Sequence, residues 1–480
     1  MTSLSLAFVP DRAHFQNMLL NFIDGEFVAS QSAKTFQKMN PFSGELLSEV
    51  TASDAMDVIK AIQAARRAQS DFAKYTLAQR AELLIKLADA LESKAEDYAY
   101  REALHQGLPQ KFVLEKSLNP AIHAFRVAAE LVTQKTQDTS TKTQHRPTGL
   151  ISIILSWNLS VRILAERVSV AIAAGNICLI KVSEHSPITA QIFGEALEAA
   201  GAPKGLVQMI QGSGPEVGAL MSAHPSIRAV NFVGKLTTAE NLAKGALPQF
   251  KKVQIHAGVK NSCCVLFDAD FKTLMPKILE SFLIGQGQMG WNTSRLFVTE
   301  QMQKEFFEEL QKFMATQRPA TSPKDETLWY PVISSEALAT VKAKSDQLKV
   351  EGGKIISGGQ TTAEKGYFFQ PTISLDLSNC SELQQEEMNG PILIVTVVKN
   401  QAEMAKWSNT GYYGHSAVIW GSSENGLRLA NMLDVGTVSL NEWLPQQMEI
   451  GHRQSAYGNL DTHPWGNFYS DVKVLTGFET

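Results

Sequence analysis

The stretch Leu150–Lys181, which reads LISIILSWNLSVRILAERVSVAIAAGNICLIK, decides the fold class of this chain. Its first part, Leu150–Leu155, is a short and almost wholly apolar run, which is typical of a strand buried on both faces. Apolar residues then fall at helical spacing over Ile163–Ala174, and a second short apolar run follows at Ile177–Lys181. The stretch therefore predicts a strand, a crossover helix and a parallel strand.

The alternation continues further along the chain, with helical patterns at Thr189–Ala200 and Glu216–Ala223 and strand patterns at Val207–Ile210 and Ala229–Phe232. Such an order predicts an α/β fold with a doubly wound parallel sheet, an arrangement that binds nucleotides. A second α/β stretch from Cys263 to about residue 444 predicts another domain.

A polar segment, Thr133–Arg146, precedes the first of these strands. It is dominated by Thr, Gln and Lys, with no apolar residue between Val132 and Pro147. From its residues alone this segment is either a disordered loop or an edge hairpin.

The composition is that of a globular protein with ample apolar material for a large core. The 480 residues are 44% hydrophobic and 19% charged, and this length favours two or three domains. Lys and Arg total 44 against 48 Asp and Glu, so the net charge of −4 gives no field that attracts nucleic acid or anionic lipid. We therefore expect neither nucleic acid nor a membrane as a partner.

The cysteine content and the N-terminal segment bear on the compartment. Four irregularly spaced cysteines indicate neither a disulfide framework nor a metal site, so we expect no bound metal. The apolar run Leu4–Val9 is too short for a signal peptide, and charged residues interrupt the most apolar region, Leu150–Ala174. These features predict a cytoplasmic protein.

Ten short motifs occur in one order along almost the whole chain. They are NFIDGEF (Asn21–Phe27), NPFSGE (Asn40–Glu45), SWN (Ser156–Asn158), AAGN (Ala173–Asn176), IKVSE (Ile180–Glu184), QGSGPEVG (Gln211–Gly218), FVG (Phe232–Gly234), GQMG (Gly287–Gly290), EEMNGP (Glu386–Pro391) and GTVSLN (Gly436–Asn441). In this order they resemble the aldehyde dehydrogenase superfamily. The segments NEWL (Asn441–Leu444) and NFYSDVK (Asn467–Lys473) are most similar to its branch acting on muconic-type semialdehydes.

The resemblance implies the aldehyde dehydrogenase fold and a division of the chain. Residues 1–132 and 147–256 would form a Rossmann-like dinucleotide-binding domain, and residues 257–447 a catalytic-type α/β domain. Residues 133–146 and 467–480 would form an oligomerisation β-arm. A homo-oligomer, dimer or tetramer, is therefore expected, and pairing with an active relative through the same surface is the alternative.

The chemistry that the resemblance implies needs particular side chains at three positions. A cysteine thiolate attacks the aldehyde, an asparagine amide helps to hold the oxyanion, and a glutamate activates water. Asn158 matches the asparagine, but Gly290 stands at the cysteine position and His256 at the glutamate position.

Loss of the nucleophile removes the covalent route, because glycine offers no nucleophilic group. In serine proteases, losing the nucleophile of the cooperating catalytic set costs on the order of 10⁶ in turnover. Cys263 and Cys264 lie in an apolar run that predicts a buried strand, where we expect them to pack rather than react. Trp291, beside Gly290, either plugs the substrate tunnel or packs in a rearranged loop.

Two of the catalytic-type positions admit structural explanations as well. His256 is either a base towards water or a hydrogen-bonded, partly buried imidazole that fills the space of the lost carboxylate. Asn158 either serves the oxyanion or caps backbone groups in the turn before a helix.

The cofactor site that the resemblance implies is better preserved. NAD would meet Trp157, Lys181, Glu184, Gly212, Gly218, Phe232, Gly234, Lys235 and Glu387. Lys181 and Glu184 would bond the adenosine ribose, with the carboxylate favouring NAD over NADP. Gly212 and Gly218 would allow close approach of the backbone, Phe232 would pack near the adenine, and Glu387 would bond the nicotinamide ribose.

Two substitutions leave NAD binding open at this point. Lys235 stands where the family has a small residue at the pyrophosphate, and it either pairs with phosphate or fills its place. Asn389 replaces a phenylalanine of the family motif. Three functions follow as hypotheses: an inactive member with a structural, regulatory or partner-binding role, an oxidoreductase that uses His256 on an aldehyde hydrate, or an NAD-binding sensor.

Overall fold

Two helix-covered sheets organise the part of the chain that the computed structural model describes, which is residues 18–134, 143–362, 365–443, 451–458 and 462–476. Its strands are β1 (Met18–Leu19), β2 (Asn21–Ile23), β3 (Glu26–Val28), β4 (Thr35–Met39), β5 (Leu46–Thr51), β6 (Thr143–Pro147), β7 (Leu150–Ile154), β8 (Ile177–Lys181), β9 (Val207–Ile210), β10 (Ala229–Gly234), β11 (Lys252–Ala257), β12 (Asn261–Val265), β13 (Thr293–Thr299), β14 (Lys354–Ser357), β15 (Thr372–Leu375), β16 (Ile392–Val398), β17 (Tyr413–Gly414), β18 (Ser416–Trp420), β19 (Thr437–Leu440), β20 (His452–Arg453), β21 (Ala456–Tyr457) and β22 (Ser470–Val474). Its α-helices are α1 (Ala55–Phe72), α2 (Leu77–Glu92), α3 (Ala95–Gln106), α4 (Gln110–Val113), α5 (Asn119–Thr133), α6 (Ser160–Ala174), α7 (Ile188–Ala199), α8 (Ala219–Ala223), α9 (Leu236–Ala246), α10 (Phe271–Leu283), α11 (Gln303–Met314), α12 (Ser335–Val350), α13 (Gln401–Ser408) and α14 (Ser423–Ala430).

The first sheet has the strand order β21-β11-β10-β7-β8-β9-β2-β3. Its central strands from β11 to β9 are parallel, while β21, β2 and β3 pair antiparallel at the two sides. Every residue of β7 and β8 is buried, which explains why both read as continuous apolar runs. The chain order reverses between β7 and β10, so a crevice opens at their carboxyl ends. The predicted doubly wound sheet is confirmed.

The second sheet has the order β14-β15-β16-β13-β12-β18-β19, and all its pairs are parallel except β14 with β15. A smaller sheet, β1-β5-β4, packs beside the first sheet's helices. The predicted α/β fold class is therefore confirmed. The strand β11, which ends one residue beyond the predicted domain boundary at residues 256 and 257, and the next strand, β12, belong to different sheets. The domain boundaries themselves remain a prediction.

The polar segment ahead of β7 is only partly described, because residues 135–142 lie outside the described residues. Its last part is β6, which pairs antiparallel with β22, from Ser470 opposite Pro147 to Val474 opposite Thr143. The described end of the segment is thus a strand.

Two negative findings hold for the described ranges. No helix among them combines the length and the apolar character needed to cross a bilayer. No three or more His, Cys, Asp or Glu side chains within them converge into a group that would hold a metal ion.

Candidate active site

A cavity of about 660 Å³ lies at the carboxyl ends of β7, β8, β10 and β11, facing segments of the second α/β half. All the predicted site residues except Gly212 line it, namely Asn158, His256, Gly290, Trp157, Lys181, Glu184, Gly218, Phe232, Gly234, Lys235 and Glu387. Parallel strands end at the same edge of a sheet, which is why residues so distant in the chain meet here.

Gly290 leaves open space at the predicted nucleophile position. Apart from its two chain neighbours, a Cβ atom built on its backbone would meet no described atom within 4 Å, and its φ lies outside the left-handed region. The backbone is nevertheless held in place, since Asn261 Nδ2 donates a 2.7 Å hydrogen bond to the Gly290 carbonyl oxygen. Asn292 Oδ1 likewise accepts from the Met289 amide at 2.7 Å. The loop is ordered around a position that has no side chain.

All four cysteines lie in the described part of the chain, and none lines the cavity. Cys263 and Cys264 are fully buried in β12, as predicted, and Cys178 is fully buried in β8. Burial raises the pKa of Cys264 and that of Cys178 to about 12, so both thiols stay protonated. Cys380 is exposed elsewhere. The structure thus offers no substitute thiol at Gly290.

His256 lies near the end of β11, opposite Val233 of β10 and Ala456 of β21. Burial, followed by the nearby charges of Arg167 and His415, lowers its pKa well below the usual value. The imidazole is therefore neutral at pH 7. Its buried Nε2 atom has no hydrogen-bond partner among the described residues, whereas the structural explanation expected a hydrogen-bonded imidazole.

Asn158 does not cap helix α6, contrary to one of the two explanations for its presence. The helix begins after Leu159, which has a positive φ of 47°, and no side chain caps it at that residue. Instead, Gln106 Oε1 accepts a 3.0 Å hydrogen bond from the Leu159 amide. Asn158 thus lines the cavity, and residues other than Asn158 hold the turn in which it lies.

Glu102 is the second residue that holds this turn, and sequence reasoning missed both it and Gln106. Glu102 Oε1 accepts from the Val161 amide at 3.0 Å and from Gln106 Nε2 at 3.0 Å. Burial raises the pKa of Glu102, opposed by these donors. The signal in the sequence was a pair of polar residues four apart, on one face of α3, at positions that are fully buried.

Lys181 and Glu184 form an ion pair in the cavity wall, with 2.5 Å between Lys181 Nζ and Glu184 Oε2. Glu184 Oε1 also accepts a 2.7 Å hydrogen bond from the Gly214 amide. Burial acts to raise the pKa of Glu184, but Lys181 and the Gly214 amide outweigh it and the pKa is lowered. Glu184 is therefore an ionised carboxylate at neutral pH, with about a third of its side chain exposed.

Three glycines of the predicted cofactor set are explained by different contacts. A Cβ on Gly212, whose φ is 128°, would lie 3.1 Å from the Ser53 amide nitrogen, so this glycine serves packing away from the cavity. A Cβ on Gly234 would lie 2.6 Å from the Phe232 ring. Gly218 lines the cavity, and of the three glycines it alone would give an added Cβ only an ordinary van der Waals contact. The expected role of Gly212 in cofactor approach is not supported by its position.

Glu387 and Lys235 both line the cavity. Glu387 Oε1 accepts from the Val259 amide at 2.8 Å, and its Oε2 accepts from Asn389 Nδ2 at 3.1 Å. Lys344 Nζ donates to the Glu387 carbonyl oxygen. Lys235 directly precedes helix α9, lines the cavity and makes no ion pair within the described ranges. A lysine ammonium group is therefore available at the open space.

A sequence model described as the aldehyde dehydrogenase family matches residues 27–475. The chain belongs to the aldehyde dehydrogenase family. The 2-aminomuconic semialdehyde dehydrogenase of Bos taurus is 29% identical over 96% of this chain and 98% of the relative. The 2-hydroxymuconic semialdehyde dehydrogenase of Pseudomonas sp. (strain CF600) is 28% identical over 95% and 98%.

Solved structures agree with this assignment. The NAD+ complex of the aldehyde dehydrogenase from Bacillus cereus superposes with a TM-score of 0.89 at 28% identity, covering 96% of each chain. The betaine aldehyde dehydrogenase from Staphylococcus aureus in complex with NAD+ gives a TM-score of 0.89 at 26% identity, covering 97% of this chain and 96% of that one. The aldehyde dehydrogenase fold predicted from the motifs is confirmed, and the family is one of oxidoreductases.

Trp291 adds a feature beside the site of this aldehyde dehydrogenase family member. It does not line the cavity, and its ring lies 5.2 Å from the Arg162 guanidinium carbon. Arg162 Nε in turn donates a 2.8 Å hydrogen bond to Glu166 Oε1. The indole thus packs against helix α6, which fits the second of its two predicted roles, and a plug in a substrate tunnel stays a prediction.

Proposed function

We propose that this protein binds a nicotinamide dinucleotide but does not oxidise aldehydes by the cysteine-dependent route. It would then be a catalytically inactive member of its family with a regulatory or structural role. The observation that carries the proposal is Gly290, at the predicted nucleophile position, with open space in place of a thiol. Without a thiolate no covalent adduct forms with the carbonyl carbon. Asn158 alone does not replace this step.

The cavity residues fit a dinucleotide. A volume of about 660 Å³ is typical of small-molecule and cofactor sites. The ionised Glu184 would accept hydrogen bonds from the ribose hydroxyls and would repel a phosphate on the same ribose, which favours NAD over NADP. Lys235 and the free amides in the first turn of α9 would face the pyrophosphate. When bound, NAD would supply a hydride acceptor.

A second candidate function rests on His256. His256 lines the cavity, and its neutral imidazole would accept a proton from an aldehyde hydrate, so that oxidation needs no thiol. The lowered pKa makes the imidazole a weak base, which places this function second. Aldehyde-dependent turnover that His256→Ala abolishes would establish it, and turnover that survives the change would exclude it.

We also propose a cytoplasmic homo-oligomer built through the strand pair β6 and β22. A two-stranded ribbon is marginally stable in water by itself, and Val472 and Val474 are 53% and 63% exposed on it. Burial against another chain would remove this apolar surface from water. Pairing with an active relative is the alternative. Light scattering of the purified protein that returns a monomer at micromolar concentration would contradict the homo-oligomer.

Calorimetric titration with NAD and with NADP tests the binding part of the proposal. We expect saturable NAD binding that is weaker for NADP, and a loss of this discrimination in Glu184→Gln. Relatives named for muconic semialdehydes make such aldehydes the natural substrates for a parallel turnover assay. Absence of NAD binding would leave a purely structural or partner-binding role.

A further inference from the structure

The space at Gly290 belongs to the cavity wall. The glycines that line the cavity are Gly214, Gly218, Gly234, Gly258, Gly287 and Gly290. An added Cβ would collide with the Tyr413 ring at Gly258 and with the Gly390 carbonyl oxygen at Gly287. Gly290 is the one member of this set at which an added Cβ meets no described atom within 4 Å, apart from its chain neighbours. Room for a small group therefore exists at this position of the wall.

His415 lies close to this space, because one side chain bonds both segments. Asn261 Nδ2 donates a 2.7 Å hydrogen bond to the Gly290 carbonyl oxygen, and Asn261 Oδ1 accepts a 3.1 Å bond from the Ser416 amide. His415 precedes Ser416 and lines the cavity. The asparagine thus places the backbone of His415 beside the loop that carries Gly290.

Ser455 joins the second cavity histidine to the first. The Ser455 carbonyl oxygen accepts from the Ala257 amide at 3.0 Å, and Ser455 Oγ accepts from the Gly414 amide at 3.1 Å. His256 precedes Ala257 and His415 follows Gly414, and both histidines line the cavity. The two imidazoles therefore belong to neighbouring segments near Gly290.

The sulfur for a covalent adduct has to come from outside the chain, since all four cysteines lie in its described part and none lines the cavity. Aldehydes in water add thiols reversibly. The thiol sulfur bonds to the carbonyl carbon, the C=O double bond opens, and the thiol proton ends on the oxygen. The product, a hemithioacetal, contains the same carbon–sulfur bond that a cysteine side chain would form.

We propose that the space at Gly290 admits the sulfur of a small external thiol, and that the protein oxidises the adduct of this thiol with an aldehyde to a thioester. The inference rests on the proposed dinucleotide binding and adds a substrate class to it, hemithioacetals in place of free aldehydes. An aldehyde without a thiol stays unreactive, as the proposed function requires.

The oxidation balances without a covalent bond to the protein. The carbon of the adduct loses a hydride and its hydroxyl group loses a proton, so the C=O double bond forms again and a thioester results. Bound NAD would supply the hydride acceptor and would leave in its reduced form. Burial lowers the pKa of His256, so its neutral imidazole takes the proton, while the Asn158 amide donates to the oxygen.

This substrate class accounts for the residues at both substituted catalytic positions. Because the sulfur arrives with the ligand, a glycine at position 290 provides the room that the sulfur needs. Because no acyl group becomes bound to the protein, no water has to be activated to release it, and a carboxylate at position 256 is not required. Gly290 and His256 therefore follow from a single change, from hydrolysis to the release of an intact thioester.

The first experiment follows the absorbance of reduced nicotinamide with the full chain, saturating NAD and propionaldehyde. Mercaptoethanol is the added thiol, and ethylene glycol, its oxygen counterpart, is the control. We expect no increase with propionaldehyde alone or with ethylene glycol. Mercaptoethanol should give a steady increase and an equal amount of thioester, measured by mass spectrometry. Equal rates with the two additives would contradict the role of sulfur.

The second experiment measures binding and needs no turnover. The thioester of propionic acid and mercaptoethanol is titrated calorimetrically into the full chain without NAD. Gly290→Leu fills the space and should weaken this binding by roughly tenfold. Ala219→Leu adds bulk at an exposed position of α8 that also lines the cavity, in the other α/β half, and should leave the affinity unchanged. Equal affinities of the two variants would contradict the sulfur site.

The outcomes separate this inference from the proposed function. NAD binding without thiol-dependent turnover would overturn the inference and leave the proposed function intact, whereas no NAD binding would overturn the proposed function itself. Retained binding of ADP-ribose reports that Gly290→Leu is folded. If this variant does not fold, the unsubstituted protein still decides, because the oxygen ester of propionic acid should bind more weakly than the thioester. Equal binding of the two esters would then contradict the inference.

Discussion

Asn261 Nδ2 donates a 2.7 Å hydrogen bond to the carbonyl oxygen of Gly290, and so fixes the backbone of a residue that has no side chain. The same amide reaches the Asn292 carbonyl at 3.1 Å, and Asn261 Oδ1 accepts from the Ser416 amide at 3.1 Å. These hydrogen bonds therefore hold the loop on which a nucleophile would stand. What is missing at this position is the reactive atom.

Gly290→Cys is expected to leave the free energy of unfolding within about 1 kcal/mol of the unsubstituted protein, because the new side chain enters open space. Gly287→Cys is the matched control. Gly287 has a φ of 66°, and a Cβ there would lie 2.2 Å from the Gly390 carbonyl oxygen, so a loss above roughly 3 kcal/mol is expected. Urea denaturation measures the free energy of unfolding of both variants. A loss of similar size in Gly290→Cys would contradict the open space at that position.

Lys235→Met should weaken the binding of NAD and of ADP-ribose by roughly tenfold, and leave that of adenosine unchanged, because the cation faces the position proposed for the pyrophosphate. Lys244→Met, at an exposed position on α9, the helix that follows Lys235, should change none of the three affinities. Calorimetry measures each. If Lys235→Met tightens NAD binding, the lysine fills the phosphate position instead of pairing with it.

Glu102→Ala should destabilise the protein by about 2–4 kcal/mol. The substitution removes the buried hydrogen bonds that Glu102 accepts from the Val161 amide and from Gln106 Nε2. Glu96→Ala, at an exposed position of the same helix, should cost less than about 0.5 kcal/mol. Equal effects in thermal or urea unfolding would mean that the buried carboxylate does not hold the turn before α6.

His256 should make the protein less stable in acid. The pKa of His256 is lowered in the folded state, so the unfolded chain binds more protons below the ordinary histidine value, and stability falls as the pH decreases from about 6.5. His256→Gln should flatten this part of the profile, measured as the free energy of unfolding between about pH 7 and about pH 5. An unchanged slope would mean that the imidazole titrates as it does in water.

The periodicity of the chain predicted the fold well, because buried parallel strands read as short apolar runs and their helices as amphipathic stretches. The pattern over residues 150–234 corresponds to β7 through β10, although the predicted helix at Glu216 begins with a π-helical turn at Gly214–Gly218. The end of the polar segment became β6 through pairing with β22, a contact between distant residues that local composition does not encode.

The candidate site was predictable where short motifs matched the family. The prediction failed where three-dimensional packing determines which residues line the cavity. Gly212 and Gly218 look alike in the sequence, yet only Gly218 lines the cavity. Glu102 and Gln106 were missed because their importance comes from burial beside the Asn158 turn, which spacing alone does not reveal. The unpaired Nε2 atom of His256 likewise depends on three-dimensional surroundings.

The most direct test of the central claim follows the absorbance of reduced nicotinamide when the unsubstituted protein meets saturating NAD and a series of aldehydes, muconic-type semialdehydes included. We expect binding of NAD by calorimetry and no increase in absorbance above the rate without protein, because no thiol reaches the carbonyl carbon at Gly290. A steady increase that Asn158→Ala abolishes would contradict this account.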